Sequence, residues 1–207
     1  MKAYTKETRN ELTPELALGL LKEENERFVN NIKAHRNLLQ QVNETSAGQF
    51  PFAAILSCID SRTSAELIFD QGLGDILSIR IAGNILNDDI LGSMELACKI
   101  AGSKLIVVLG HTNCGAIIGA CNNIVLGNIT GLLNKIKPAI EQEIETITDR
   151  TENNQVFLRN VTVNNVFLTV EKVKEQSSIL REMEQNHELK IIGGLYDVDT
   201  GQVIFFE

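Results

Sequence analysis

No stretch of the 207 residues approaches the length of a membrane-spanning segment. The run MKAYTKETRNELTPELALGLLKEENERF is charged throughout and has no apolar core ending in a small-residue cleavage site, so no secretory leader is expected. Positive charge is also in short supply. The 19 Lys and Arg face 27 Asp and Glu, a formal net charge of -8, and the cations are scattered rather than gathered in a stripe. Such a chain offers no basic field to nucleic acid or to an anionic membrane, and neither is an expected partner. Cysteine is too sparse for a disulfide framework: Cys58, Cys98, Cys114 and Cys121 are spread through the chain. In a chain expected to be cytoplasmic, such thiols point first to metal or catalysis. Internal repeats, low-complexity tracts and long linkers are missing as well.

What is present reads as an ordinary globule, with 43% hydrophobic and 22% charged residues. A chain of this size hides roughly 70% of its unfolded surface in one core, so a single domain over residues 1–207 is expected. Pro14 to Asn31 mixes leucines with Glu and Lys at helical spacing behind the potential cap Thr13, which predicts a helix packing outward within an N-terminal helical arm, 1–48. The α/β core, 49–207, opens on the apolar run Phe52 to Ser57, which reads as a buried parallel strand. A short helix from Ser64 to Asp70, a strand from Ile76 to Ile81 and an amphipathic helix from Asp88 to Ala101 follow. Leu105 to Leu109, LIVVL, is the clearest strand. Helical periodicity returns over Cys114–Ile124, Ile129–Ile147, Gln155 to about Lys174, and Ser178–Gln185. Leu189–Val198 and Gln202–Phe206, joined by Asp199, Thr200 and Gly201, close the sheet as a hairpin. The predicted fold is α/β, a mainly parallel central sheet flanked by helices, with ligands gathering at the carboxyl ends of the strands.

Two of those strand ends carry unusual residues. Cys58 follows the first core strand, and His111 with Cys114 follows the third, so a thiolate, an imidazole and a second thiolate can meet. Three such donors suit zinc. Structural zinc sites close with four protein ligands, whereas catalytic ones keep three and leave a position open. No fourth ligand is evident: His35 and His187 lie in polar, solvent-facing stretches, and Cys98 and Cys121 read as small buried hydrophobes inside helices. His-x-x-Cys alone is a weak signal, since one short spacing arises by chance, and its position after LIVVLG together with Cys58 strengthens it. Asp60 and Arg62 stand within four residues of Cys58. They read either as a loop-capping aspartate and a surface cation, or as a carboxylate held by a bidentate guanidinium beside a metal, where it can take the proton of bound water. Two thiolates cancel the charge of zinc, so activity should climb towards alkaline pH.

The segments CIDSR at 58–62, RIAGN at 80–84 and GHTNCGA at 110–116 resemble the beta-class carbonic anhydrases, and the likeness extends through GGLYDVDTG near the C-terminus. The resemblance implies reversible hydration of carbon dioxide to bicarbonate by zinc-bound hydroxide, with one zinc per subunit on Cys58, His111 and Cys114 and with Asp60 and Arg62 as the dyad. It implies a homodimer or a dimer of dimers with active sites at the subunit interface. Gln49 matches a glutamine that hydrogen-bonds bicarbonate from the neighbouring subunit, and Gly115 matches a small residue beside the metal. Ala82 within RIAGN, Leu77 and Leu96 complete the expected substrate pocket, the two leucines standing where relatives often carry aromatic residues. In relatives that close the site by swinging the aspartate onto zinc, a tryptophan stands where this chain has Ile55, and the complete absence of tryptophan favours the open form. The same fold and triad also serve hydrolases of carbon disulfide or carbonyl sulfide, and a non-catalytic zinc or thiol protein is a third reading.

Overall fold

The computed structural model describes residues 2–206. Five strands form one sheet: β1 (Ala53–Ser57), β2 (Ile76–Arg80), β3 (Leu105–His111), β4 (Lys190–Tyr196) and β5 (Val203–Phe206), in the order β2-β1-β3-β4-β5. The first four are parallel, and β5 returns antiparallel to β4. This is the mainly parallel α/β fold that the sequence predicts.

Every residue of β1 and β3 is buried, because both faces of the sheet are covered. Side chains alternate across a strand. Ala53, Ile55, Leu105, Val107 and Leu109 pack with Ala17, Leu18 and Leu21 of α2 (Pro14–Val29) and Ile68 of α4 (Ala65–Ile68). Ala54, Leu56, Ile106 and Val108 face α5 (Asp88–Glu95), α9 (Gln155–Gln176) and α10 (Ser178–Gln185). Where β3 nears its end, Gly110 leaves room for α9: a Cβ there would lie 2.6 Å from Val166 Cγ2. The helix therefore rests on the backbone beside His111.

The ends of α2 and α5 follow the sequence signals. The Thr13 side chain accepts from the Leu16 amide behind Pro14, and Asn87 accepts from Ile90 ahead of Asp88 and Asp89. Other boundaries differ. Rather than packing outward, α2 seats Ala17, Leu18 and Leu21 on the chain's own core. Two further helices, α1 (Lys6–Asn10) and α3 (Leu38–Thr45), flank it. The helix predicted over Ile129–Ile147 is two, α7 (Gly127–Asn134) and α8 (Lys137–Gln142). Pro138 lacks an amide donor, so it opens α8 instead of continuing α7. α6 (Gly115–Cys121) starts one residue after Cys114, which is its cap, and the last turn after α5, Leu96–Ile100, is π-helical.

Candidate metal centre

Strand register brings the donors together. Ser57 of β1 lies level with Leu109 of β3, so Cys58, one residue past β1, comes near His111 at the end of β3. A tight turn follows in which Asn113 adopts the left-handed region, φ 55°, and Cys114 caps α6. The ligand atoms of Cys58, His111 and Cys114 lie within 4.8 Å of one another, and all three residues are buried. Donors held at roughly 2.0–2.3 Å from a tetrahedral zinc stand about 3.5 Å apart, which this spacing admits.

The imidazole is presented in a defined way. His111 Nδ1 lies 2.9 Å from the Thr112 carbonyl oxygen, which only accepts, so Nδ1 carries the proton. Nε2 is left free to ligate, and it is a buried nitrogen without a hydrogen-bond partner. The two sulfurs lie close enough to perturb one another. The Cys58 thiol is drawn far below its ordinary value, chiefly by the hydrogen bond from Cys114, with His111 and the amides of Gly83 and Asp60 adding to it against the effect of burial. Cys114 is pushed up by that same bond and by burial. One easily formed thiolate, a second thiol beside it and an orphaned imidazole nitrogen are what a divalent zinc ion would satisfy. Among the described residues this is the one such group.

Beside it, Arg62 holds Asp60 as a fork, Nε to Oδ1 and Nη2 to Oδ2, and the Arg62 amide also donates to Oδ1 at 3.0 Å. The guanidinium is the main reason that the Asp60 carboxyl sits far below the usual carboxylate range, against the opposing effect of burial. Arg62 also reaches the Asn113 carbonyl oxygen at 3.3 Å, tying the dyad to the turn between His111 and Cys114.

A sequence model described as carbonic anhydrase matches residues 53–203, nearly three-quarters of the chain and all three donors. The chain belongs to the beta-carbonic anhydrase family. Carbonic anhydrase 2 of Mycobacterium tuberculosis is 35% identical over 194 residues, 92% of each chain. The family is one of zinc-dependent lyases. In fold, the chain resembles the beta-carbonic anhydrase of Aspergillus fumigatus with a TM-score of 0.74 at 24% identity, covering 93% of this chain and 90% of that one. It likewise resembles a tetrameric beta-carbonic anhydrase of Sordaria macrospora, with a TM-score of 0.70 at 23% identity over 81% and 89%.

Other residues expected near a family active site fall into two groups. Ala82 opens the short 3-10 turn Ala82–Asn84, whose next residue donates its amide to Cys58 Sγ at 3.3 Å. Gly115 follows Cys114, and a Cβ there would meet nothing within 4 Å, so space is open beside the metal ligands. Gln49, by contrast, is exposed ahead of the amino end of β1 and lies against Gly74, with the whole of β1 between it and Cys58. Leu77 pairs level with Ala54, three residues before the end of β2, and Leu96 is 59% exposed on the π turn. Within one chain the length of β1 keeps Gln49 from the triad.

Cys98 is buried in the core and its thiol is pushed up to about 12 by burial, while that of half-buried Cys121 is pushed up to about 11 by the same cause. His35 and His187 are exposed. Sequence reasoning missed Gly83, which has a visible signal. Its φ of 66° suits glycine, and a Cβ would press 2.8 Å from Ile136 Cδ1, so only a glycine turns the amide onto the sulfur here. It also missed Thr112, whose carbonyl orients the imidazole. No helix among the described residues is long and apolar enough to cross a membrane.

Proposed function

We propose that this chain catalyses the reversible hydration of carbon dioxide to bicarbonate and a proton. One observation carries the reading: a three-donor set suited to zinc stands beside a carboxylate already locked by an arginine. Cys58, His111 and Cys114 would hold the zinc. When bound, zinc supplies a Lewis acid that lets water act as a nucleophile near neutral pH. With three protein donors the fourth position stays open for the reaction, as in catalytic rather than structural zinc sites.

Asp60 is ionised throughout the neutral range and pinned to Arg62, which keeps it off the metal and supports the open form. Its remaining lone pairs accept the hydrogen bond of the attacking water and so fix the direction of attack. Ala82 and Gly115 bring only a methyl group and backbone to the neighbourhood of the donors, which leaves room for a small substrate. That suits an uncharged, linear substrate.

The site is completed across an interface between two copies. Gln49 and Cys58 of one chain are separated by at least the length of β1, roughly 16 Å at about 3.3 Å per residue. Gln49 can therefore bind bicarbonate only at a partner's metal centre, and Leu77 and Leu96 contribute in the same manner. A homodimer, alone or paired into a tetramer, is the assembly that this requires. Four cysteines without a disulfide among them fit a cytoplasmic setting.

Stopped-flow hydration of carbon dioxide by the zinc-loaded protein, from neutral to alkaline pH, tests the proposal. Turnover rising with pH is the expected result. No turnover at any pH from protein that holds zinc would reject it and turn attention to carbon disulfide or carbonyl sulfide as substrate.

A further inference from the structure

Arg80 ends β2 and lies level with Ser57 of β1. Its side chain does not simply project into solvent. Nε donates to the Cys58 carbonyl at 3.0 Å and Nη2 to the Asp60 carbonyl at 2.6 Å, across 22 and 20 residues of sequence. The Thr63 hydroxyl lies within hydrogen-bond distance of the same two oxygens, at 3.1 and 2.9 Å, from the opposite direction in sequence. These are the carbonyls of the residue that supplies a thiolate and of the residue that supplies the carboxylate.

We infer that Arg80 is a positioning residue of the metal centre, whose fork fixes the backbone around Ile59 and thereby aims both the Cys58 sulfur and the Asp60 carboxylate. The argument is geometric. Peptide groups are planar, so holding the carbonyls of residues 58 and 60 fixes the two peptide planes on either side of the Ile59–Asp60 link. The Gly83 amide, three residues beyond Arg80, approaches the Cys58 sulfur at 3.3 Å. Arg80 and Gly83 thus work from one strand end on one ligand. Two charge-assisted bonds from a rigid planar fork need an arginine, because a lysine presents one compact ammonium and cannot span both oxygens in the same way. An ordinary surface cation would not be committed to two distant main-chain carbonyls.

The inference rests on reading Cys58 as a metal ligand, and the test separates the two. Zinc release from the full-length holoprotein to excess chelator is followed for wild type, Arg80→Ala and Arg80→Lys, together with the thiolate-to-metal charge-transfer band of the cobalt-substituted proteins. Partners that orient metal ligands typically change affinity or activity by 10–100-fold. Arg80→Ala is expected to release zinc at least about tenfold faster and to shift the cobalt band, with methylguanidinium restoring part of both. Arg80→Lys should fall between wild type and Arg80→Ala. Wild-type release and an unshifted band in Arg80→Ala would overturn the inference. Should Arg80→Ala fail to fold, an Arg80→Lys protein indistinguishable from wild type overturns it equally. A wild-type protein that binds neither zinc nor cobalt would strike the metal reading itself, and the inference with it.

Discussion

Asp60 and Arg62 are two residues apart and joined by three hydrogen bonds, two of them the parallel pair from Nε and Nη2 at 2.9 and 2.8 Å. Such a fork fixes the carboxylate in one plane and keeps it ionised. Asp60→Asn replaces one oxygen by a donor facing a donor, and it removes the negative charge that receives a proton. The variant is expected to keep its full zinc content and to lose about 100-fold or more in kcat/KM for hydration, the lower range for a positioned proton acceptor. Arg62→Ala, which leaves the carboxylate present but untethered, should lose about tenfold. Stopped-flow rates beside metal analysis decide the matter; an Asp60→Asn enzyme of unchanged turnover has no dyad.

The metal ligands can be tested without activity. Ligand binding stabilises the folded state by mass action, about 4 kcal/mol when free zinc stands near 1,000 times its dissociation constant. Chelation should therefore lower the Tm of the wild-type protein by several degrees. Cys58→Ser removes a donor from the triad, so its Tm should already be low and chelator should not move it further. A Cys58→Ser protein with wild-type zinc content and a chelator-sensitive Tm has its ligands elsewhere.

The centre of the molecule was legible because its signals are local. AAILS and LIVVL are buried on both faces, and the residues following such strands stand at the carboxyl edge, so the meeting of Cys58, His111 and Cys114 could be expected from position. What escaped depends on register or on exposure. α3 buries only Gln41 and turns Leu38, Leu39 and Val42 outward, so its apolar residues trace no buried stripe. The roles of Arg80 and Gly83 follow from β2 being level with β1 at Ser57 and Arg80, a relation between segments that sequence spacing does not carry.

At the other end of the sheet, Asp70 anchors the segment after α2. It accepts from the Ala34 amide at 2.9 Å, from Arg27 Nε at 3.0 Å and from Arg36 Nη1 at 2.7 Å. Burial alone would raise its carboxyl, but the amide and the two guanidinium groups outweigh it and hold it below the 3.8 of a free aspartate. A carboxyl lowered in the folded state contributes its full stability above 3.8 and loses it as pH falls through the folded value. Asp70→Asn removes the carboxylate charge that both Arg27 and Arg36 bond and should cost about 3 kcal/mol at pH 7. The gap to wild type should begin to narrow below about pH 3.8, where the carboxyl of the unfolded chain takes up its proton, and keep narrowing until the folded one does too. Denaturant unfolding in chelator at pH 7 and at pH 3 measures both; a gap that is the same at the two values would mean that Asp70 does not act through its charge.

The interface reading makes a prediction that no single-chain site could satisfy. Gln49 and Cys58 of one copy are held apart by β1, so on that reading each active site would take its metal ligands from one chain and its glutamine from the other. Gln49→Ala and Cys58→Ser should both be weak or inactive alone. Co-expressed in equal amounts, they form heterodimers as half of all dimers, and in each heterodimer one site combines an intact Cys58 with an intact Gln49. Activity should then recover to about a quarter of the wild-type value, since two subunits related by a twofold axis exchange residues reciprocally. Stopped-flow hydration on the mixture and on each parent measures it. If the mixture gives only the average of its parents, each site is built from one chain, and Gln49 has no part in it.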